Sequence, residues 1–131
     1  MIRVAEDQID VTDEMVYLYE SKPFTGISYE LDDDVLISEI SYKEGSLHGA
    51  SKSWYSDGTP YTEEYYVDGG LHGMKIEWFK NGLKKSEACY EYGIVVKKND
   101  WNSTGDLIKE YVLRETDPGY ELLHLRRSNR N

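Results

Sequence analysis

The segment Tyr42-Lys43-Glu44-Gly45-Ser46-Leu47-His48-Gly49 returns twenty-four residues later as Tyr66-Val67-Asp68-Gly69-Gly70-Leu71-His72-Gly73. Outward from it, Trp54 and Trp78, and Gly58 and Gly82, keep the same spacing, and Tyr90 continues the series begun by Tyr42 and Tyr66. Trp101 and Gly105 follow Trp78 and Gly82 by twenty-three residues, and Gly26 precedes Gly49 by twenty-three. In that earlier, degenerate unit Asp32-Asp33-Asp34 occupies the turn where later units carry Ser56-Asp57-Gly58 and Lys80-Asn81-Gly82. A fixed period of this size marks stacked copies of one supersecondary unit, each unable to bury its apolar side alone.

Each unit reads as a β-hairpin. Asp57-Gly58 and Asn81-Gly82 are residue pairs that tolerate positive φ and favour tight hairpin turns matching strand twist. The flanking segments 51–55, 61–66, 75–79 and 85–90 are short, aromatic and partly alternating, and the Gly45–Gly49 and Gly69–Gly73 links reverse the chain between units. The expected fold is all-β: an antiparallel sheet of successive hairpins closed by a short C-terminal helix. One domain spans 1–131, with an N-terminal cap at 1–23, about four hairpin repeats at 24–111, and a C-terminal cap and tail at 112–131. Asp117-Pro118 supplies an acidic N-cap and a proline at the first helical position, predicting a helix over 118–127 that covers the last edge. Arg126-Arg127 fall in its final turn, where cations are favoured. Residues 1–16 carry no strong pattern.

Lys and Arg total 15 against 25 Asp and Glu, a net charge of −10. Nucleic acid and anionic membrane surfaces require a positive footprint, so both are excluded as expected partners. Mean hydropathy is low at −0.68, yet 12 Tyr and 3 Trp distinguish the chain from disordered sequences and point to an aromatic core. Cys89 is the single cysteine, which rules out an intrachain disulfide and a cysteine-rich metal site. No apolar run reaches membrane-spanning length, and the N-terminus lacks the apolar region of a secretory signal. The expectation is a soluble protein of the reducing cytosol, monomeric when free. The charge is segregated: residues 1–41 hold 11 acidic and 2 basic residues, whereas 42–131 hold 14 and 13.

The Tyr42–Gly49 and Tyr66–Gly73 segments, with Trp54-Tyr55-Ser56-Asp57-Gly58 and Trp78-Phe79-Lys80-Asn81-Gly82, resemble the variant MORN repeat. Lys22-Pro23-Phe24-Thr25-Gly26 before them and the segment from Trp101 to Tyr111 after them narrow the resemblance to the YwqK-type antitoxins of bacteria, over roughly residues 14–125. The resemblance implies a MORN-like hairpin sheet and an immunity role, in which the protein binds and neutralises a cognate toxin domain. MORN-type repeats also occur in scaffolds and in lipid- or membrane-associated modules, which is the alternative function. Two departures stand out. The first unit lacks the His-Gly pair, and the third carries Gly93-Ile94-Val95 where His-Gly would stand.

Little in the sequence suggests catalysis or a cofactor. His48 and His72 are the most tempting metal ligands, but equivalent positions two strands apart lie about 9.6 Å from each other, and the pair reads better as turn chemistry. Asp100-Trp101-Asn102-Ser103-Thr104-Gly105 opens like a calcium loop, yet the twelfth position is Tyr111 rather than a glutamate, so it reads as another hairpin turn. Asn102-Ser103-Thr104 matches a glycosylation sequon that means nothing without a signal peptide. Cys89 has no placed base and reads as a packed thiol on a strand. Glu63 and Glu64 are adjacent, so on a strand they point to opposite faces and form no acid/base dyad. No sharp nucleophile turn or phosphate-binding glycine loop frames the remaining groups. The protein is expected not to be an enzyme.

The candidate partner-binding residues are therefore acidic and aromatic. Asp10, Asp13, Glu14, Glu30, Asp32, Asp33 and Asp34 belong to the acidic first third, and Tyr61, Glu63, Glu64 and Tyr65, with Tyr66, form a second surface. Toxins that act on nucleic acid carry cationic grooves, which an acidic surface would steer toward and occlude, while tyrosines supply large anchors at low rotamer cost. Self-association through exposed sheet edges is the other competing reading.

Overall fold

The computed structural model describes residues 1–129. Its strands are β1 (Arg3–Ala5), β2 (Ile9–Val11), β3 (Tyr17–Tyr19), β4 (Lys22–Pro23), β5 (Gly26–Asp32), β6 (Val35–Lys43), β7 (Ser46–Trp54), β8 (Pro60–Val67), β9 (Gly70–Leu71), β10 (Gly73–Trp78), β11 (Lys84–Glu91), β12 (Ile94–Trp101) and β13 (Leu107–Val112). One helix, α1 (Pro118–Ser128), follows. The repeats form an antiparallel meander in which β5, β6, β7, β8, β10, β11, β12 and β13 are successive neighbours, β9 pairs with β8, and β1 adds to β5 in parallel. The all-β fold of consecutive hairpins expected from the twenty-four-residue period is the fold observed. The patternless N-terminal stretch folds as well: after β1 and a short 3-10 turn at Glu6–Gln8, β2, β3 and β4 make a separate small sheet.

Two kinds of hairpin alternate, and their placement corrects the sequence reading. The turns that join one repeat unit to the next are tight two-residue turns, Glu44-Gly45, Asp68-Gly69 and Tyr92-Gly93, with φ of 50 and 83°, 48 and 87°, and 49 and 81°. Two successive positive φ values define the type I′ turn, whose twist matches that of its strands. By contrast, Asp57-Gly58 and Asn81-Gly82 lie in three-residue turns in which only the glycine is left-handed, with φ of 90 and 91°. There the Tyr55 and Phe79 N–H groups donate to the carbonyls of Thr59 and Leu83, and Gly58 and Gly82 donate back. The preceding side chain serves a different purpose: Asp57 Oδ1 accepts from the Thr59 N–H at 3.0 Å, and Asn81 Oδ1 from the Leu83 N–H at 3.0 Å. The first unit departs from this, since Asp33-Asp34 makes a two-residue turn without glycine at φ of 48 and 65°. Aspartate is one of the few residues that enter the left-handed region routinely.

The units are locked to one another through those type I′ turns. Asp68 and Gly69 donate their N–H groups to His48 Nδ1, at 3.3 Å, and to the Leu47 carbonyl, at 2.9 Å. One period later, Tyr92 and Gly93 donate to His72 Nδ1, at 3.0 Å, and to the Leu71 carbonyl, at 2.8 Å. Each imidazole is thus the acceptor that satisfies the next turn's backbone. The first unit lacks the histidine but keeps the arrangement: Glu44 donates to Thr25 Oγ1 at 2.8 Å and Gly45 to the Phe24 carbonyl at 2.9 Å. In the third unit the twenty-four-residue register places Val96-Lys97 at the His-Gly position, which corrects the assignment of Gly93-Ile94-Val95 to it, since Gly93 belongs to the preceding turn. There the Val96 carbonyl takes the Leu113 N–H instead.

The small sheet packs its Ile9, Tyr17 and Tyr19 against Val4, Phe24 and Tyr42, with Ile40 and Leu47 around them. Ring centroids of Tyr17 and Tyr42 lie 5.2 Å apart, those of Phe24 and Tyr42 5.4 Å, and those of Tyr19 and Phe24 5.7 Å, all tilted or edge-on as aromatic quadrupoles favour. Ser28, only 1% exposed, shares a 3.0 Å hydrogen bond with the buried Tyr42 hydroxyl. Burial pushes the Tyr42 phenol above its ordinary value.

At the other end, α1 begins at Pro118 as predicted, although Asp117 does not cap it with its side chain. Asp117 Oδ2 instead accepts from the Arg114 N–H at 2.8 Å and the Tyr111 hydroxyl at 3.0 Å. The helix buries Leu123, donates from Arg126 to the Tyr92 carbonyl, and pairs Arg127 with Glu91. It is fastened to the β11–β12 turn rather than laid along β13, so the expectation that it covers the last edge is corrected.

Removing an acceptor from a turn amide strands that donor. His72→Ala is expected to lower unfolding free energy by about 1 kcal/mol, and His48→Ala by less, because its bond is longer and more exposed. Urea denaturation of the two variants measures that order, and equal stabilities would remove the histidine lock.

Candidate functional site

Cross-strand registers assign the faces of the large sheet. A continuous row of directly opposed residues runs Tyr29, Glu39, Lys52, Glu63, Ile76, Glu87, Asn99, Glu110. Side chains opposite one another share a face, so this row is one surface. Glu39, Glu63, Glu87 and Glu110 in it are spaced by 24, 24 and 23 residues: the repeat places one glutamate per unit here. Arg3 pairs with Glu39 and stands 5.4 Å from the Tyr29 ring centroid, Lys52 reaches Glu63 at 4.0 Å, and Lys84 pairs with Glu87.

The predicted second surface divides between the two faces. Tyr61, Glu63 and Tyr65 lie on the glutamate row's side, where the Tyr65 hydroxyl donates to Glu63 and the Tyr61 ring sits 4.8 Å from that of Tyr55. The Glu63 carboxylate holds the Tyr65 phenol above its ordinary value. Glu64 lies on the opposite face with Tyr66, whose hydroxyl donates to it. Burial first, and Glu64 second, push the Tyr66 phenol strongly up. The adjacent glutamates therefore face apart, as their sequence positions require.

The acidic first third is distributed over three places. Asp10 is on β2, and Asp13 and Glu14 are exposed in the turn that follows it. Asp32, Asp33 and Asp34 are exposed where β5 meets β6. Glu30, near the end of β5, lines a groove of about 510 Å³ with Ala5, Glu6, Asp7, Tyr29 and Leu31. Asp7 belongs with the acids expected upstream of the Glu30–Asp34 run, whereas Glu6 escaped the sequence reading because it meets Glu30 only through the parallel pairing of β1 with β5. The burial of Glu6, followed by its hydrogen bond to Glu30 and the repulsion between the two, raises its carboxyl above the usual 4.5.

The remaining candidates have structural tasks. His48 and His72 are the inter-unit acceptors described above. Asn102 Oδ1 accepts from the N–H groups of Thr104, at 3.1 Å, and Asp106, at 3.0 Å, so the calcium-like segment is the β12–β13 hairpin turn. Cys89 is half-buried on β11, beside a depression of about 220 Å³ shared with Met74, Glu87, Lys97 and Asn99. No group of three or more metal-ligating side chains is assembled among the described residues, and no helix among them is long and apolar enough to cross a membrane. No family model matches the chain, and no curated protein matches its sequence.

A raised carboxyl favours the fold most when protonated, so Glu6 withholds stability as pH climbs through its folded pKa. Glu6→Gln is expected to raise the melting temperature at pH 7, with the gain vanishing near pH 4, below the usual 4.5. A gain that persists undiminished in acid would assign the effect to packing instead of charge.

Proposed function

We propose that this protein is an antitoxin or immunity protein that binds a basic, nucleic-acid-targeting bacterial toxin domain in the cytosol and blocks it sterically and electrostatically. The observation that carries the reading is the segregation of acid: residues 1–41 hold 11 carboxylates against 2 cations. The fold disposes these carboxylates on exposed turns and along the Glu6–Glu30 groove. Two of them, Glu6 and Glu30, line that groove together, and repulsion between them helps to raise the Glu6 carboxyl, behind its burial. A cationic side chain from a partner relieves that repulsion, and the surrounding negative field accelerates encounter with a positively charged groove. The sequence resemblance to YwqK-type antitoxins supplies the immunity role; the charge supplies the sign of the partner.

The test is capture of partners by the tagged full chain at about 50 mM salt, where the Debye length is still long, followed by elution with rising salt. A single basic polypeptide recovered near one-to-one supports the proposal, and recovery of lipid favours the scaffold alternative. With that partner, replacing Asp32, Asp33 and Asp34 together by asparagine preserves residues that accept the left-handed turn while removing three charges. Association is expected to slow roughly tenfold at low salt and to lose much of its salt dependence. Unchanged association kinetics would move the interface away from this turn.

A further inference from the structure

The sheet ends at β13, whose sole neighbour in the strand order is β12. In each earlier unit the equivalent strand receives a partner on its far side: β6 receives β7, β8 receives β10, and β11 receives β12. After β13 the next strand is replaced by α1, beginning at Pro118, which cannot donate a ladder hydrogen bond. Leu113 donates to the Val96 carbonyl. Because backbone groups alternate sides along an antiparallel strand, Tyr111 and Lys109 also face β12, while Glu110 and Val112 direct their N–H and C=O groups away from the sheet. The side chains there are open too, with Ile108 64% and Val112 54% exposed. A bulge opposite Asp100 and Trp101 leaves Ile108 unpaired on β12 and bounds this edge on one side.

The charge pattern says what the edge lacks. Of the four glutamates that the repeat places in one row, Glu39, Glu63 and Glu87 each have a basic partner. Glu110 has none among the described residues. A second copy of this chain does not supply one. Symmetric antiparallel pairing of two β13 strands uses a two-fold axis normal to the sheet, which opposes only residues of the same face. Registers centred on Lys109 or Glu110 then set like charges directly against each other, a destabilising arrangement. The register centred on Tyr111 opposes Glu110 to Val112, and the one centred on Val112 opposes it to Arg114, whose N–H and C=O are already bonded to Asp117. The complementary register, Lys109 against Glu110, would need residues from opposite faces and cannot form.

We infer that β13 is a strand-addition site for an extended segment of a partner protein, which pairs antiparallel with Glu110 and Val112 and places a lysine or arginine opposite Glu110 and an apolar β-branched residue opposite Val112. This rests on the partner-binding function proposed above and assigns it a main-chain contact. Main-chain bonds give such a complex its affinity, and alternate side chains give it specificity.

The test uses the full chain and a capped peptide of about eight residues, one lysine flanked by valine and isoleucine, at millimolar concentration. Amide hydrogen exchange followed by NMR is expected to show at least about tenfold added protection at Glu110 and Val112, with little change at Tyr111 and Leu113, which are already bonded. Glu110→Lys is expected to weaken the lysine peptide about three- to tenfold and to favour a peptide carrying glutamate in its place. Val112→Pro deletes an outward donor without touching the β12 ladder and is expected to abolish the added protection; should that variant not fold, the Glu110→Lys exchange of preference decides. Protection confined to other residues, no protection at saturating peptide, or β13-linked dimers of the chain would each overturn the inference. The peptide contains no toxin, so those results leave the immunity reading standing, whereas failure to capture a basic polypeptide strikes that reading alone.

Discussion

Two backbone N–H groups at the tip of each turn between units must find acceptors, and the preceding unit supplies them. A carbonyl and a side-chain acceptor one residue later, Leu47 with His48, Leu71 with His72 and Phe24 with Thr25, receive the turn of the following hairpin. Ladder bonds alone would let neighbouring hairpins twist independently, because they fix only the strands. The turn contacts fix the ends as well, so the spacing between an acceptor and its turn is the quantity the period preserves. A thin sheet with a small buried core, centred on Val4, Phe24 and Tyr42, depends on this backbone satisfaction more than a thick aliphatic domain does.

Much of the architecture was legible because the repeat is written in residues with narrow backbone roles. Tyrosine, tryptophan and glycine positions at one spacing gave successive hairpins, and Asp117-Pro118 gave the start of α1. The turn types were not legible from dipeptides. Asn81-Gly82 and Asp57-Gly58 are type I′ favourites, yet a third loop residue lets their side chains bond the backbone two residues on, while Tyr92-Gly93, a poor candidate by composition, makes the tight turn. The N-terminal stretch stayed unread for a related reason. Met15 adopts a φ of 63° in a turn with the hydrogen-bond pattern in which the later units use glycine, and β1 pairs in parallel with a strand more than twenty residues away, which no local pattern announces.

The candidate surfaces were legible as charge but not as geometry. Counting acids located the first third of the chain, and adjacency alone separated Glu63 from Glu64. What composition could not give was which carboxylates meet. Asp13 and Asp33 belong to turns of different sheets, whereas Glu6 and Glu30, far apart in sequence, line one groove. The glutamate row went unread although its members recur at the repeat spacing: each is an ordinary strand residue until the registers of eight strands are laid side by side. Its first three members are neutralised within the fold, and the last stands where the sheet runs out of neighbours.

The histidine lock carries an evolutionary consequence. Each unit holds both the turn that is received and the acceptors that receive the next one, so a duplicated segment of one period inserts with its junction chemistry already complete. Chain length can therefore change by whole units through a single recombination event, without compensating substitutions elsewhere. Loss of an acceptor, as at Val96, ends the register that permits such growth and fixes where the array terminates.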